Sequence, residues 1–342
     1  MTTRHLLVSA LAAIVLSACG GNDDDQQSER ATAVAPLTAE AGGNPLFARI
    51  DADTVMVGAN LAPAPDEVID HLWESMSTMG DLNEASYDEL AESVEGESPV
   101  LSALLEELST IEDRESLEAL GVHSNGFWAA HMLSVYPMLH VELTDPAAFQ
   151  AMLDRVASNS ETPLPRRQVA GEEIVWIEND GLGLALHHDE RFATLALVPD
   201  DEAMLRRVVN LDAPSRAFDP AELARFNDAQ GFVPHGSGFL DIAGLLGRLM
   251  DPENDRAAPA RAQMDLEALA ADPACQQEMA ALAAVFPRIS AGLSALDRSA
   301  FDMKMVIEAE SGMASRMSAI ADTPVGLTQG QTRTLSGGIA FD

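Results

Sequence analysis

Apolar positions along this chain switch repeatedly between period two and period 3.6, the signatures of half-buried strands and amphipathic helices. Residues 54–60 read as a strand. Pro63-Ala64-Pro65-Asp66 break it and open a helix whose stripe is Val68, Ile69, Leu72, Trp73 and Met76. Helical signal continues over residues 87–120. Two strands follow at 127–133 and 137–143 with a short turn between them. Asp145-Pro146 then caps a helix with the stripe Phe149, Met152, Leu153 and Val156. Beyond a Pro-rich link at 163–165, residues 173–177, 182–187 and 192–198 read as three strands in meander, and 201–209 as a helix.

The second half reuses this order. Residues 238–242 and 245–250 repeat strand then helix, and 263–285 repeat the helical stretch. Residues 289–296 and 301–308 repeat the hairpin, and 313–320 the helix after it. The expected fold class is therefore α+β, antiparallel sheets with packed helices, built from a duplicated strand-helix-helix-hairpin-helix unit at 45–215 and 216–342. Residues 337–342 resemble the start of the same strand motif and are expected either to close the sheet or to mark a shortened member of a longer family.

Ahead of residue 45 the pattern changes. Arg4 precedes an apolar run over residues 6–16, the layout of an export signal, and the run is too short for the ~30 Å hydrocarbon core of a bilayer. It ends in Leu16-Ser17-Ala18-Cys19, which closely resembles the lipobox of bacterial lipoproteins. That resemblance implies that residues 1–18 are removed, that Cys19 carries lipid on its thiol and amino terminus, and that several acyl chains make a stable anchor. In Gram-negative members the next residue biases sorting, and Gly20 in place of aspartate implies the outer membrane, facing the periplasm. Residues 19–44, with Asp23-Asp24-Asp25 and paired glycines, form an acidic tether too polar to fold, of reach roughly 25–30 Å.

Composition narrows the partners. The 342 residues are 47% hydrophobic, enough for one large core or two modest ones, and carry a net charge of −35. Lys304 is the only lysine. Such a surface suits a saline habitat or a GC-rich genome, and it repels polyanions, so no nucleic-acid partner is expected. The expected partners are the membrane, through the N-terminal lipid, and an envelope protein or hydrophobic ligand. With Cys19 given to lipid, Cys275 has no intramolecular partner and is expected to be a small buried hydrophobe.

Chemistry-bearing motifs are sparse. His187-His188-Asp189 places two imidazoles on opposite faces of a strand, a poor start for a metal site. His235-Gly236-Ser237-Gly238 lacks the glycine spacing and strand-turn-helix order of a nucleophile elbow and reads as a loop entering a strand. Glu172, Glu173, Glu178, Asp180 and Asp189 lie close in sequence but follow no calcium-loop spacing. His123, His131 and His140 flank or lie in the first hairpin and are expected to be structural. No catalytic residue, cofactor or metal ligand is assigned. The 15 methionines fill core positions, and a Met-rich groove between the two units would suit lipid or peptide.

The segments Ile50-Asp51-Ala52-Asp53-Thr54, Asn60-Leu61-Ala62-Pro63, Gly121-Val122-His123-Ser124-Asn125 and the run from Val141 to Phe149 are similar to those of uncharacterised envelope lipoproteins of a domain-of-unknown-function type. That likeness implies an extracytoplasmic α+β protein and carries over no catalytic residue. The expected function is a membrane-anchored lipoprotein with a binding or scaffolding role. The alternatives are an envelope hydrolase assembled from dispersed His and Asp/Glu, and a carrier of lipid or another hydrophobic ligand.

Overall fold

The computed structural model describes residues 43–77, 98–160, 162–179, 181–298, 300–313 and 339–341. Cys19, the signal segment and the tether to residue 42 lie outside the described residues, as do the expected helical residues 87–97 and 314–320, and Asp180.

The fold is α+β, built on one eleven-stranded sheet. Its strands are β1 (Met56–Ala59), β2 (Trp128–Leu133), β3 (Tyr136–Glu142), β4 (Arg166–Val169), β5 (Glu172–Asn179), β6 (Leu182–His188), β7 (Phe192–Pro199), β8 (Ser237–Asp241), β9 (Arg288–Asp297), β10 (Ala300–Glu308) and β11 (Ile339–Phe341). They lie in the order β11-β10-β9-β8-β1-β2-β3-β7-β6-β5-β4, so the two expected units share one sheet. The two halves meet at the β1–β8 pair, with the β2–β3 hairpin beyond β1 and the β9–β10 hairpin beyond β8. All pairings are antiparallel except β11, which runs parallel to β10 at the edge.

Helices cover the sheet: α1 (Asp66–Ser77), α2 (Pro99–Ser109), α3 (Arg114–Ala119), α4 (Pro146–Asn159), α5 (Glu202–Val208), α6 (Pro220–Gln230), α7 (Ile242–Leu249), α8 (Ala258–Gln263), α9 (Glu267–Ala271) and α10 (Pro273–Val285). Their starts follow from local chemistry. Asp145, Asp219 and Asp272 each precede a proline at the first helical position, and each carboxylate accepts the backbone N–H groups that the first turn leaves free. The same Asp-Pro signal at 219–220 marks α6, which the apolar pattern alone does not reveal. The expected helical stretch over 263–285 is broken, running from the end of α8 through α9 and α10. Asp265 turns the chain with φ of 56°, and Asp272-Pro273 restarts it. The expected meander has an additional edge strand, β4, whose polar Arg166-Arg167-Gln168 hides it from a periodicity reading.

One sheet face carries His131, and the other carries Met305. On the His131 face, Leu46, Phe47 and Ile50 from the 3-10 turn Pro45–Arg49 pack on Val57, Ala59 and Ala129. There α5 also lays Met204, Leu205 and Val208 against Val169, Ile174, Ala185 and Ala196. On the Met305 face, α2 and α4 bury Val100, Phe149, Met152 and Val156 with Val175 and Ala193 of the first half. No helix among the described residues is long and apolar enough to cross a membrane.

Candidate apolar binding site

Alternation along β8, β9 and β10 puts Ser237, Phe239, Ser290, Gly292, Lys304 and Val306 on the His131 face and Gly238, Leu240, Ile289, Ala291, Leu293, Met303, Met305 and Ile307 on the Met305 face. The His131 face is the more deeply buried of the two. Ser290 and Val306 on the His131 face are 1% and 0% exposed, and on the same face the Phe232 ring leaves no room for a side chain on Gly292. Lys304 points the same way and donates to the Gln230 carbonyl at 2.9 Å. On the opposite face Phe301, Met303 and Met305 are 37%, 38% and 41% exposed, and Leu240, Ile289, Leu293 and Ile307 are half-buried. An exposed apolar surface of this kind calls for an occupant.

The surface has a floor and two walls. Met305, Ala291, Gly238, Gly58 and Ala130 stand side by side across five strands and form a floor that is small everywhere but at Met305. On one side lies a wall of Met303, Leu293 and the Trp128 ring, which spreads over Gly58 and Gly236. On the other side Ile307, Ile289, Leu240, Met56 and Met132 form the second wall. With neighbouring strands ~4.8 Å apart, the part of the floor from Met305 to Gly58 is roughly 14 Å long, and it ends at Ala130, which is buried beside the large side chain of Leu139. The walls are four residues apart along each strand, roughly 14 Å between backbones. None of these side chains is charged, in a protein of 55 acidic residues.

Buried amides fix the trough at its Trp128 end. Asn44 Nδ2 donates to the carbonyls of Asn60 and Trp128, both at 2.9 Å. Asn60 Oδ1 accepts the Trp128 N–H at 3.0 Å, and Asn60 Nδ2 donates to the Gly126 carbonyl at 3.0 Å. At the other end of β1, the Thr54 hydroxyl lies 2.7 Å from the Met56 carbonyl and 2.9 Å from that of Met132. The trough sits where β1 pairs with β8, at the junction of the two halves. The signal for its floor was in the sequence as Gly58 and Gly238, glycines inside strand patterns.

The other sequence candidates are dispersed. His187 faces the Glu173 carbonyl, and burial holds its imidazole below the usual range. His188 lies on the opposite face against the Phe149 ring, with ring centroids 5.5 Å apart, and hydrogen-bonds Gln150. Asp189 pairs with Arg49 at 2.7 Å and accepts the N–H groups of Arg191 and Phe192. His235 contacts the Ala62 carbonyl, and Ser237 is buried in β8, so the two serve the entry to a strand. Glu173 pairs with Arg166; Glu172 begins β5, and Glu178 is exposed near its end. His123 Nδ1 accepts the Asn125 N–H at 3.1 Å. Cys275 is half-buried on α10 rather than buried, and its thiol is pushed up by burial and by the nearby Asp272 and Glu278 charges.

Sequence reasoning missed a link between two histidines. His131 and His140 meet across the first hairpin, Nε2 to Nε2 at 3.2 Å, with His140 Nδ1 2.9 Å from the Thr194 hydroxyl. All three are buried, and desolvation pushes His131 down to about 4 and His140 well below the ordinary range. Two neutral imidazoles can share one proton in this arrangement, closed to solvent.

A polar cleft of about 530 Å³ lies at the far end of β1, lined by Asp51, Asp53, Ser134, Arg207, Asp212 and Arg248 among others. Its charges are largely satisfied within the protein. Arg207 holds Asp51 at 3.1 Å and the Arg49 carbonyl at 3.0 Å. Arg248 holds Asp53 and the Ser134 carbonyl, and Arg206 forks onto Asp212 at 2.8 and 2.9 Å. No group of three or more His, Cys, Asp or Glu among the described residues is placed to hold a metal ion.

No protein-family model matches the chain. No curated protein matches it either. Among solved structures it is similar to crystal form III of TP0453, with 11% identity and a TM-score of 0.35 over 80% of this chain and 85% of that one. It is also similar to crystal form I of TP0453, with 12% identity and a TM-score of 0.30 over 75% of each chain. Likeness this loose carries no residue or role across to the present chain.

Proposed function

We propose that this protein is an envelope lipoprotein, anchored through lipid on Cys19 and most at home in the outer membrane, whose folded part binds an apolar ligand in the trough across the β1–β8 junction. The observation that carries the binding role is the uneven burial of the two faces of β8–β10. Ser237, Ser290, Gly292 and Val306 there are packed away, while Met303 and Met305 face outward and Leu293 is half-buried, among uncharged side chains. Leaving such a surface in water costs roughly 25 cal/mol per Å² of apolar area, so an occupant stabilises it. The lipobox residues Leu16-Ser17-Ala18-Cys19 support the anchor, and the acidic tether supports a folded part standing clear of the headgroups. The hairpins that flank β1–β8, β2–β3 on one side and β9–β10 on the other, support a duplicated unit.

The test is a fluorescent apolar dye titrated onto the full chain carrying Cys19→Ser. The reading expects saturable binding that Gly58→Val removes, because a side chain there stands on the trough floor, where a methyl group meets nothing nearer than 3.8 Å. Dye binding indifferent to Gly58→Val overturns it.

A further inference from the structure

We infer that the polar cleft at the end of β1 is a second binding site, for a small polyhydroxylated organic anion, a sugar acid or a sugar phosphate, with Arg256 as the group that receives the carboxylate or phosphate. The cleft has the size of a small-molecule site, about 530 Å³, and shares only Met132 with the apolar trough.

The balance of charge in the cleft departs from that of the chain. Arg207 is matched by Asp51, Arg248 by Asp53, and Asp212 by Arg206. Arg256 is left over. It lines the cleft, it is exposed, and its guanidinium has no hydrogen-bond or ion-pair partner among the described residues. Its acidic neighbours in sequence, Glu253 and Asp255, do not line the cleft. One cation is therefore in excess there, in a chain with 55 acidic residues against 20 basic ones. Long-range repulsion from the other acids is screened at physiological ionic strength, where the Debye length is ~8 Å. The fork of N–H donors on a guanidinium matches the oxygens of a carboxylate or a phosphate.

Buried side chains hold the backbone that carries Arg256. The Tyr136 hydroxyl donates to the Arg256 carbonyl at 2.8 Å and accepts the Ala260 N–H at 3.3 Å. Arg261, itself buried, donates to the carbonyls of Asp251 at 2.8 Å and Asn254 at 3.2 Å. Asn254 Nδ2 donates in turn to the Arg248 carbonyl at 3.1 Å. Segment 251–256 is thus fixed from beneath while the Arg256 guanidinium stays free, which lowers the ordering cost of binding. Ser134, Ser215 and the exposed carboxylate of Asp53 line the same cleft and supply hydrogen-bonding groups for the hydroxyls of the ligand.

The experiment is isothermal titration calorimetry of the full chain with Cys19→Ser at physiological salt, with glucose 6-phosphate, glucuronate and glucose as probes that differ only at one end of a common body. The expected result is one-site binding of at least one of the two anions and none of glucose, weakened at least ten-fold by Arg256→Gln and unchanged by Arg298→Gln. The second variant makes the same change of charge beyond the far end of β9, at the opposite end of the sheet. Because Arg256 is exposed and unpartnered, Arg256→Gln is expected to keep the parent's Tm, so that lost binding reports the site and not the fold. Binding of glucose 6-phosphate alone assigns the site to phosphate esters, and binding of glucuronate alone assigns it to sugar acids. Glucose binding as tightly as the anions overturns the inference, as does anion binding that Arg256→Gln leaves intact or that Arg298→Gln weakens equally. Failure of all three probes to bind at millimolar concentration overturns it too.

Discussion

Gly58 of β1 lies directly opposite Gly238 of β8, and the two glycines are not equivalent. A methyl group on Gly238 would come within 2.2 Å of the Val57 carbonyl oxygen and 2.6 Å of the Gly58 Cα. On Gly58 the nearest atom would be a Trp128 ring carbon at 3.8 Å. One glycine permits the close approach of the two halves, and the other keeps the trough floor low.

That asymmetry predicts opposite outcomes for matched substitutions. Gly238→Ala forces backbone apart at the central pairing and is expected to cost at least ~2 kcal/mol. Gly58→Ala removes backbone freedom from the unfolded chain without a clash and is expected to be neutral or stabilising by up to ~1 kcal/mol. Urea unfolding of both variants decides this. Equal destabilisation would mean that the seam is not built as described.

The His131–His140 pair predicts acid sensitivity. Burial holds both imidazoles neutral in the folded protein, His131 down to about 4, while the unfolded chain protonates them near 6.5. The unfolded state therefore binds more protons between these values. Stability is at its full value above pH ~6.5 and falls as pH drops toward 4, by about 1.4 kcal/mol per pH unit for each such histidine. His131→Gln, which can still hydrogen-bond His140, is expected to flatten the slope between pH 6 and pH 4.5 by about one histidine's share. An unchanged slope in that range would show that the His131 imidazole is not held neutral.

Asn60 is predicted to be the costliest polar residue near the trough. Its side chain accepts from Trp128 N–H and Asn44 Nδ2 and donates to the Gly126 carbonyl. Asn60→Ala takes this partner from the Trp128 N–H and the Gly126 carbonyl, while Asn44 Nδ2 keeps its two backbone acceptors, and each group left unpaired costs about 1–3 kcal/mol. A loss of roughly 2–4 kcal/mol is expected, together with a shift in Trp128 emission as its backbone anchor is released. Loss of stability with unaltered Trp128 emission would assign Asn60 to packing alone.

Arg114 gathers three carboxylates, Asp70 at 2.7 Å, Asp66 at 3.1 Å and Glu118 at 3.1 Å, and ties α1 to α3. Those hydrogen bonds, Asp70 first, raise the guanidinium above its usual range. Asn125 and Arg114 hold Asp66 below its own. Arg114→Gln is expected to lower Tm most at low ionic strength, because the exposed acids then repel one another. The loss should shrink near 1 M salt, where the Debye length is ~3 Å. A salt-independent loss would point to packing of the arginine stem instead.

Much of the layout was legible in the sequence because it rests on local rules. The alternation of 127–133 and 137–143, the Asp145-Pro146 start and the stripe from Phe149 to Val156 are all readable from neighbours along the chain, and each appears in the fold. What local rules do not carry is which face receives cover. Met303, Met305 and Ile307 alternate with Lys304 and Val306, a pattern that predicts the methionines inward. The structure instead folds Lys304 under α6, where the Gln230 carbonyl receives its charge, and leaves the methionines outward. The His131–His140 contact depends on register between β2 and β3, and the seam of Gly58 and Gly238 on a pairing 180 residues apart. Neither distance leaves a local signature.

The most direct measurement is native mass spectrometry of the full chain with Cys19→Ser, exported and purified without detergent, beside its Gly58→Val variant. The account predicts a bound apolar species of one defined mass class on the first protein and its loss from the second, with both folded. Two proteins of the same bare mass, or the same adduct on both, would contradict a binding role for the trough.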